Sequence, residues 1–169
     1  MRKQLLAALL LGASSMLAPA MAADLRIGLQ EDPDVLDPDQ SRTFVGRIVY
    51  ASLCDKLVDI TPDLEIIPQL ATDWSWSEDG LTLTMNLRED ASFHDGTPFN
   101  AEAVKANIDR SQNLPESRRK SEVKSIAGVE VTGPYQVTFT LTAPDATLLA
   151  QFADRSGMML SPAATAAAG

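Results

Sequence analysis

His94 is the only histidine among the 169 residues, and it is the first place to look for catalysis. A hydrolase of the serine type would have to build its proton relay from His94, with Ser92 and Asp95 nearby in sequence. Side chains of neighbouring residues point in different directions on a strand or turn, which disfavours such a relay. The tetrapeptide Phe93-His94-Asp95-Gly96 predicts instead a structural turn, in which Asp95 accepts backbone hydrogen bonds and Gly96 adopts a strained φ.

Metal, phosphate and thiol chemistry find little support in the sequence. The single cysteine, Cys54, lies 40 residues from the single histidine, and two such ligands cannot complete a zinc site. The acidic stretch 31–39 lacks the spacing and turn glycine of a calcium loop, and no glycine-rich phosphate loop is present. Cys54 can form no disulfide within this chain, and its apolar surroundings favour a small buried side chain over a reactive thiol. We expect neither a metal nor another cofactor.

Trp74 and Trp76 lie two residues apart on a predicted strand and therefore share a face. Aromatic faces stack on sugars, so this pair is a candidate carbohydrate platform. Tryptophans in a hairpin beside an apolar helix belong more often to a core or its rim, and we favour that role.

The N-terminus predicts export. Arg2-Lys3, an apolar run over residues 5–13 and the small residues of Ala20-Met21-Ala22 are typical of a secretory signal peptide, which we assign to residues 1–22. A lipid anchor would require a cysteine at the cleavage point, and Cys54 lies too far along the chain. No later segment has the length of apolar sequence that a membrane span requires.

Net charge limits the classes of partner. The formal net charge is −9, and cleavage would remove two of the 14 basic and none of the 23 acidic residues, leaving −11. Such a chain is a poor ligand for nucleic acid, where binding depends on lysine and arginine, and for anionic lipid headgroups.

The elements that must position these residues follow from hydrophobic periodicity. In chain order, the sequence predicts a strand at 25–29, a loop at 31–38, a helix between residues 45 and 57, and a short strand at 58–60. Two β-hairpins then give the clearest local signals. The first pairs residues 72–77 with 81–87 around the turn pair Asp79-Gly80, and the second pairs residues 126–131 with 135–141.

Helices and connections complete the prediction. Asn100 is a suitable N-cap for a helix with a packing side made by Ala103, Val104, Ala106, Asn107 and Ile108. Asp145 is a suitable cap for a short third helix. The charged stretch 111–124 predicts an exposed loop or frayed helix, and residues 158–160 predict a final strand. The result is a mixed α/β fold with a largely antiparallel sheet.

Several short motifs follow one another in a fixed order. They are Pro68-Gln69-Leu70-Ala71, Trp74, Ser77-Glu78-Asp79-Gly80 with the strand that follows it, Phe93-His94-Asp95-Gly96-Thr97-Pro98-Phe99-Asn100-Ala101-Glu102, and Val104. With a leader and Leu36-Asp37-Pro38 before the first helix, this string resembles the bacterial extracellular solute-binding proteins of family 5. These are the dipeptide-, oligopeptide- and nickel-binding receptors of ABC importers, and the resemblance covers residues 24–161.

The resemblance implies a periplasmic-binding-protein-like fold of type II, in which two lobes joined by a hinge enclose the ligand. Family members are several hundred residues long, and the alanine-rich tail 163–169 carries no cap or closing strand. We therefore expect residues 23–169 to be the N-terminal portion of the first lobe with its small extra subdomain, and the second lobe to be missing. The implied receptor is a periplasmic, non-enzymatic monomer that delivers a peptide or similar small solute to the transmembrane subunits of an ABC permease.

The resemblance also implies where the ligand is held. Peptide-binding relatives hold an extended ligand through backbone hydrogen bonds, and the first-lobe contact falls just after the Leu36-Asp37-Pro38 motif, at Arg42, Thr43 and Phe44. Arg42 would pair with a ligand carboxylate, Thr43 would offer backbone and hydroxyl contacts, and Phe44 would wall a side-chain pocket. The alternative is that residues 41–43 simply start the helix, with Arg42 in solvent.

Two other functions stay open at this point. One is a periplasmic hydrolase that uses His94, and the other is a chaperone-like module that holds unfolded chains. The ligand class also stays open, because the anchors for the charged ends of a peptide would lie in the missing lobe.

Overall fold

The structure, a computed structural model, describes residues 24–168, and the predicted signal peptide lies outside the described residues. In chain order, the elements are helix α1 (Phe44–Tyr50), strands β1 (Val58–Ile60), β2 (Ile66–Pro68), β3 (Ala71–Trp76) and β4 (Thr82–Leu87), helix α2 (Ala101–Asn113), strands β5 (Ile126–Gly133) and β6 (Gln136–Leu141), helix α3 (Leu148–Phe152), a 3-10 helix (Arg155–Gly157) and helix α4 (Pro162–Ala168). Between residues 24 and 168, no helix is long and apolar enough to cross a bilayer.

The two predicted hairpins are confirmed, and together they form one antiparallel sheet. Its strand order is β3-β4-β6-β5, while β1 and β2 pair separately. Gly80 has a φ of 68°, a left-handed conformation that glycine adopts at little cost and that the tight turn between β3 and β4 requires. Along β4, Leu83, Met85 and Leu87 are buried, and the polar residues between them are only partly covered. The period-2 pattern therefore places one face of the sheet against the core.

Helix α2 covers that face of the sheet. The Asn100 side chain accepts a hydrogen bond from the backbone N–H of Ala103 at 2.9 Å, which confirms the predicted N-cap. Val104 and Ile108 are fully buried against the sheet. Ala106, predicted on the packing side, is exposed instead, because two residues of helical rotation after Val104 turn it towards solvent. Helix α3 also packs on the sheet: Phe152 of α3 contacts Phe139 of β6 with ring centroids 5.2 Å apart.

The N-terminal part of the chain differs from the prediction. Residues 25–29 do not form a strand, and the side chains of Leu25 and Ile27 are 84% and 70% exposed. A strand needs a neighbour to satisfy its backbone, and nothing in the described part of the chain pairs with this segment. Helix α1 ends at Tyr50, well before the predicted end at residue 57. Leu57 lies outside the helix, and its amide donates a hydrogen bond to the carbonyl of Gly157 at 2.9 Å.

Three further predictions are corrected. Stretch 111–124 is only partly an exposed loop: α2 continues to Asn113, and Ser117, Arg119 and Val123 are buried, while about half of the stretch is exposed. Residues 158–160 form no strand, because only a single bridge joins Met158 to Lys56. Thr147, and not Asp145, is the N-cap of α3, although Asp145 accepts a hydrogen bond from the Thr147 amide at 2.9 Å.

Candidate functional site

The segment that carries the predicted ligand contacts is residues 34–43, called here the 34–43 loop, and one carboxylate organises it. Asp34 accepts hydrogen bonds from the Ser41 hydroxyl at 2.8 Å, the Arg42 amide at 2.8 Å and the Thr43 hydroxyl at 3.1 Å. The hydrogen bonds from Arg42 and Ser41 hold the pKa of the Asp34 carboxyl far below its ordinary value. The loop is therefore tied into a compact turn just before α1.

Thr43 ends this loop as the N-cap of α1. Its hydroxyl accepts a hydrogen bond from the Gly46 amide at 3.0 Å and donates to Asp34. With both bonds made, the hydroxyl is largely occupied by the fold, so a ligand at this position would meet mainly its backbone. The predicted helix start at residues 41–43 is confirmed, and a ligand role for Thr43 stays a prediction.

An acidic pair in the same loop is anchored to α2. Arg110 donates to Asp37 at 2.6 Å and also to Asp39, while the Ser111 hydroxyl donates to Asp39 at 2.6 Å. Burial raises the pKa of Asp39 in spite of these bonds. Burial works in the same direction on Asp37, but the hydrogen bond and charge of Arg110 prevail and lower the pKa of Asp37. One arginine thus serves two carboxylates, and it favours the ionised form of Asp37.

Two buried arginines support the loop from behind. Arg119 donates to the carbonyl oxygen of Ser41 at 3.2 Å, and Arg155 donates to the carbonyl oxygens of Ser41 and Thr43 at 3.2 and 3.4 Å. Arg119 also pairs with Glu122, which accepts a hydrogen bond from Ser156 at 2.9 Å. Burial lowers the pKa of the Arg119 guanidinium, and the neighbouring charge of Arg155 acts in the same direction.

The outer side of the loop presents the other two predicted ligand residues to solvent. Arg42 is exposed and makes no side-chain hydrogen bond or ion pair within residues 24–168. Phe44 is 69% exposed, and the guanidinium of Arg47 lies 5.9 Å from its ring centroid. Arg47 in turn pairs with Asp154 at 2.5 Å. The result is a cationic and aromatic surface on a rigidly held backbone, a combination suited to a carboxylate and an apolar group.

A groove lies on another side of the 34–43 loop, between the loop, residues 93–95 and α4. It has a volume of about 640 Å³, and apolar side chains such as Leu36, Leu53 and Met159 line much of it. Arg42, Thr43 and Phe44 do not line this groove. The sequence-predicted contacts therefore form an open surface and not a closed pocket.

The structure does not assemble a proton relay around His94. Both Asp95 oxygens are engaged, one by the amide and hydroxyl of Thr97 at 2.9 and 2.6 Å and the other by the Ser161 hydroxyl. These bonds lower the pKa of Asp95, with the Ser161 bond as the largest cause. The side chains of His94 and Ser92 make no hydrogen bond within the described residues, and Gly96 has a φ of 83°. The predicted structural turn is confirmed.

The tryptophans take the structural roles expected of them, and Cys54 is less buried than expected, since it lines the groove beside the 34–43 loop. Cys54 is half-buried, and burial, with the charges of Asp55 and Asp37, raises the pKa of its thiol to about 11. Trp74 is half-buried and packs against the core, while Trp76 lies at the rim, 36% exposed. In the part of the chain that the structure describes, no group of three or more metal-binding side chains converges.

The residues that hold the 34–43 loop were missed at the sequence level. Asp34, Arg110, Arg119 and Arg155 are ordinary charged residues in the sequence, and the last three lie 71 to 114 residues from their partners in the loop. No local pattern indicates such distant pairs. The one available hint is that stretch 111–124 contains several serines and charges whose burial only the fold explains.

Comparison with known proteins assigns the chain to a family. Residues 65–168 match the model of the bacterial extracellular solute-binding proteins, family 5 Middle. The glutathione-binding protein GsiB of Salmonella typhi is 36% identical over 162 residues, which are 94% of this chain and 31% of that protein. The chain thus spans about a third of the length of the curated relatives it matches.

Solved structures agree with this assignment. AgaA of A. tumefaciens R10, in complex with agropinic acid, superimposes with a TM-score of 0.74 at 29% identity, covering 80% of this chain and 28% of AgaA. A dipeptide-binding protein of Pseudoalteromonas sp. SM9913, in complex with Met-Leu, superimposes with a TM-score of 0.70 at 25% identity, covering 80% of this chain and 31% of that protein. These similarities confirm the predicted mixed α/β, periplasmic-binding-protein-like fold of type II. The chain belongs to the bacterial extracellular solute-binding proteins of family 5.

Proposed function

We propose that residues 23–169 form the N-terminal portion of the first lobe of an exported receptor, with residues 1–22 as its signal peptide. The receptor captures a peptide or similar small solute between two lobes and delivers it to the transmembrane subunits of an ABC permease. The observation that carries this proposal is the identity of 36% over 94% of the chain to a glutathione-binding protein of the family. The periplasm as the location, the absence of a lipid anchor and the monomeric state belong to the same proposal.

The 34–43 loop supplies this lobe's share of the ligand contacts. Arg42 is free to pair with a carboxylate, and Phe44 offers an exposed ring beside it. Glutathione, agropinic acid and Met-Leu, which are bound by three similar proteins, all carry a carboxylate at neutral pH. A charge-assisted hydrogen bond from an arginine is the natural recognition of that group.

A lobe that holds only part of the ligand surface binds weakly by itself. Affinity in a hinged receptor comes from the closed state, where both lobes contact the ligand, and the closed shape is what distinguishes loaded from empty receptor. The Arg42 and Phe44 surface is exposed to solvent in this chain, as one face of such a cleft would be in the absence of the other lobe.

A thermal-shift screen of the full-length protein that contains this chain tests the proposal. The panel is glutathione, Met-Leu, agropinic acid and a nickel–histidine complex, with sucrose as a control outside these chemical classes. A solute at about a thousand times its dissociation constant adds roughly 4 kcal/mol to the free energy of unfolding, which gives a clear saturable shift. A protein that shifts with none of them contradicts the proposed ligand class.

The same protein separates the two rival functions. A His94→Asn variant that binds normally, with no solute consumed by either protein, supports a receptor. A measurable reaction that disappears in this variant would indicate a hydrolase. Loose binding of many long unfolded peptides, without saturable binding of a small solute, would indicate a chaperone-like module.

A further inference from the structure

Arg155 lies in an unusual electrostatic position behind the 34–43 loop. Its residue is buried, and among residues 24–168 no carboxylate lies within ion-pair distance of its guanidinium. Its partners are the backbone carbonyls of Ser41 and Thr43, at 3.2 and 3.4 Å, and its Nε makes no hydrogen bond within the described part of the chain. A buried cation without a counter-charge costs free energy, so this arrangement is not explained by stability.

Arg119 acts at the same point from another element. It donates to the carbonyl of Ser41 at 3.2 Å, so one oxygen receives hydrogen bonds from two buried guanidinium groups. Arg119 follows α2 and Arg155 begins the 3-10 helix after α3. Two separate segments, one after α2 and one after α3, thereby reach the loop.

These carbonyls flank the residue that faces the ligand in the proposed function. Ser41 and Thr43 lie on either side of Arg42, and their carbonyls are held from the inside while Asp34 holds the Arg42 amide. The Ser41 carbonyl and the Arg42 amide belong to one peptide unit, which is therefore held at both its oxygen and its N–H, and the peptide unit between Thr43 and Phe44 is held through the Thr43 carbonyl. Together these two peptide units restrict the direction in which the Arg42 side chain leaves the backbone.

We propose that Arg155, assisted by Arg119, is a positioning residue that orients the Arg42–Phe44 surface for the ligand. This inference rests on the proposed function and adds to it a task for the segments that follow α2 and α3: they brace the ligand-facing loop. A residue with this task affects ligand affinity more than it affects the stability of the fold.

Amide hydrogen exchange in the full-length protein tests the brace without a ligand. Arg155→Met removes the charge and the hydrogen-bond donors at similar side-chain length, and Arg155→Lys keeps the charge and an ammonium donor. Arg118→Met is the matched control, because Arg118 is exposed and adjoins Arg119 in the sequence. We expect the Arg42 and Gly46 amides to exchange about tenfold faster in R155M than in the unmodified protein. Their exchange rates in R155K should lie between those of R155M and the unmodified protein, and in R118M they should be unchanged. Amides of β4 should be unchanged in all three.

Ligand affinity provides the second readout, with the solute that gives the largest shift in the thermal screen. If R155M leaves the loop in its competent conformation for about a tenth of the time, the apparent dissociation constant rises about tenfold. R155K should recover part of this loss, and the melting temperature of ligand-free R155M should change little, because removing a buried charge without a carboxylate partner offsets the loss of its hydrogen bonds to the Ser41 and Thr43 carbonyls.

The outcomes separate this inference from the proposed function. Unchanged exchange at Arg42 and Gly46 in R155M overturns the positioning role, whatever the affinity. Faster exchange in β4 as well, with a lower melting temperature, also overturns it, because Arg155 would then be a general structural residue. If no solute binds the unmodified protein, the proposed function is contradicted, and the exchange data still decide whether Arg155 braces the loop.

Discussion

A single exposed carboxylate sets the conformation of the loop that is proposed to meet the ligand. Asp34 bonds to three consecutive residues, one through its amide and two through their hydroxyls. The 34–43 loop forms no helix or strand, and its own backbone bonds are those of a turn, from the Gln40 and Ser41 amides to the Asp37 carbonyl, so bonds from side chains add to them.

Asp34→Asn should change how the free energy of unfolding depends on pH in the acidic range. Because the folded-state pKa of Asp34 is lowered, its stabilising effect is present above its ordinary value of 3.8 and is lost as the pH falls below that value. In the full-length protein, we expect the free energy of unfolding, measured by urea titration from pH 7 downwards, to fall less steeply below about pH 4 in D34N. Identical slopes for the two proteins would show that Asp34 is not held in this way.

Cys54 should be a slow nucleophile in the folded protein. A thiol pKa of about 11, in place of the ordinary 9.0, leaves about a hundredfold less thiolate at pH 8. We expect iodoacetamide to label Cys54 about a hundredfold more slowly in the native full-length protein than in denaturant, as followed by mass spectrometry. Labelling at equal rates would contradict the half-buried, charge-flanked environment.

The contact between α3 and the 3-10 helix leaves no room for a side chain at Gly157. A Cβ built on Gly157 would lie 1.8 Å from the Phe152 carbonyl oxygen, so any side chain forces backbone to move. Gly157→Ala should cost roughly 2–4 kcal/mol of unfolding free energy. Gly128→Ala in β5 is the matched control, because nothing lies within 4 Å of its Cβ, and it should cost less than about 0.5 kcal/mol. Equal melting temperatures for the two variants would refute the contact.

Elements that the sequence predicts well are those whose signals are local. The hairpin at Gly80 and the cap at Asn100 need only neighbours within a few residues, and both are confirmed. The segment 25–29 has a strand pattern but no partner among the described residues, and a pattern alone cannot supply one. The support of the 34–43 loop was unpredictable for the opposite reason, because Arg155 lies 114 residues from Ser41 and contributes no periodicity.

Buried and exposed apolar side chains are unevenly distributed along the chain. All members of the main core cluster lie between Leu57 and Met159. Before that region Val45 and Tyr50 are buried, but many large apolar side chains are exposed, namely Leu25, Ile27, Leu29, Leu36, Phe44, Ile48 and Leu53. Isolated apolar side chains on a surface are ordinary, but a run of them in one part of a chain indicates a surface that packs on something. Since the chain spans 31% of a curated relative, we expect the rest of the receptor to cover most of them.

Arg42 should contribute to affinity in the complete receptor. A charge-assisted bond of about 1.5–3 kcal/mol corresponds to a loss of roughly ten- to a hundredfold in affinity on Arg42→Ala. Arg42→Lys should lose less, and Arg118→Ala should lose nothing. Calorimetric titration of the three variants with the best solute of the panel measures this. Unchanged affinity in R42A would remove Arg42 from the cleft and leave residues 41–43 as a helix start only.

We propose that this chain is one side of a two-sided binding cleft. Isothermal titration of the full-length receptor and of residues 23–169 with the same solute tests it most directly, with circular dichroism to establish that both are folded. We predict saturable binding of one solute per full-length molecule and no measurable binding by residues 23–169 alone. Binding of comparable affinity by residues 23–169, with the same stoichiometry, would contradict the account.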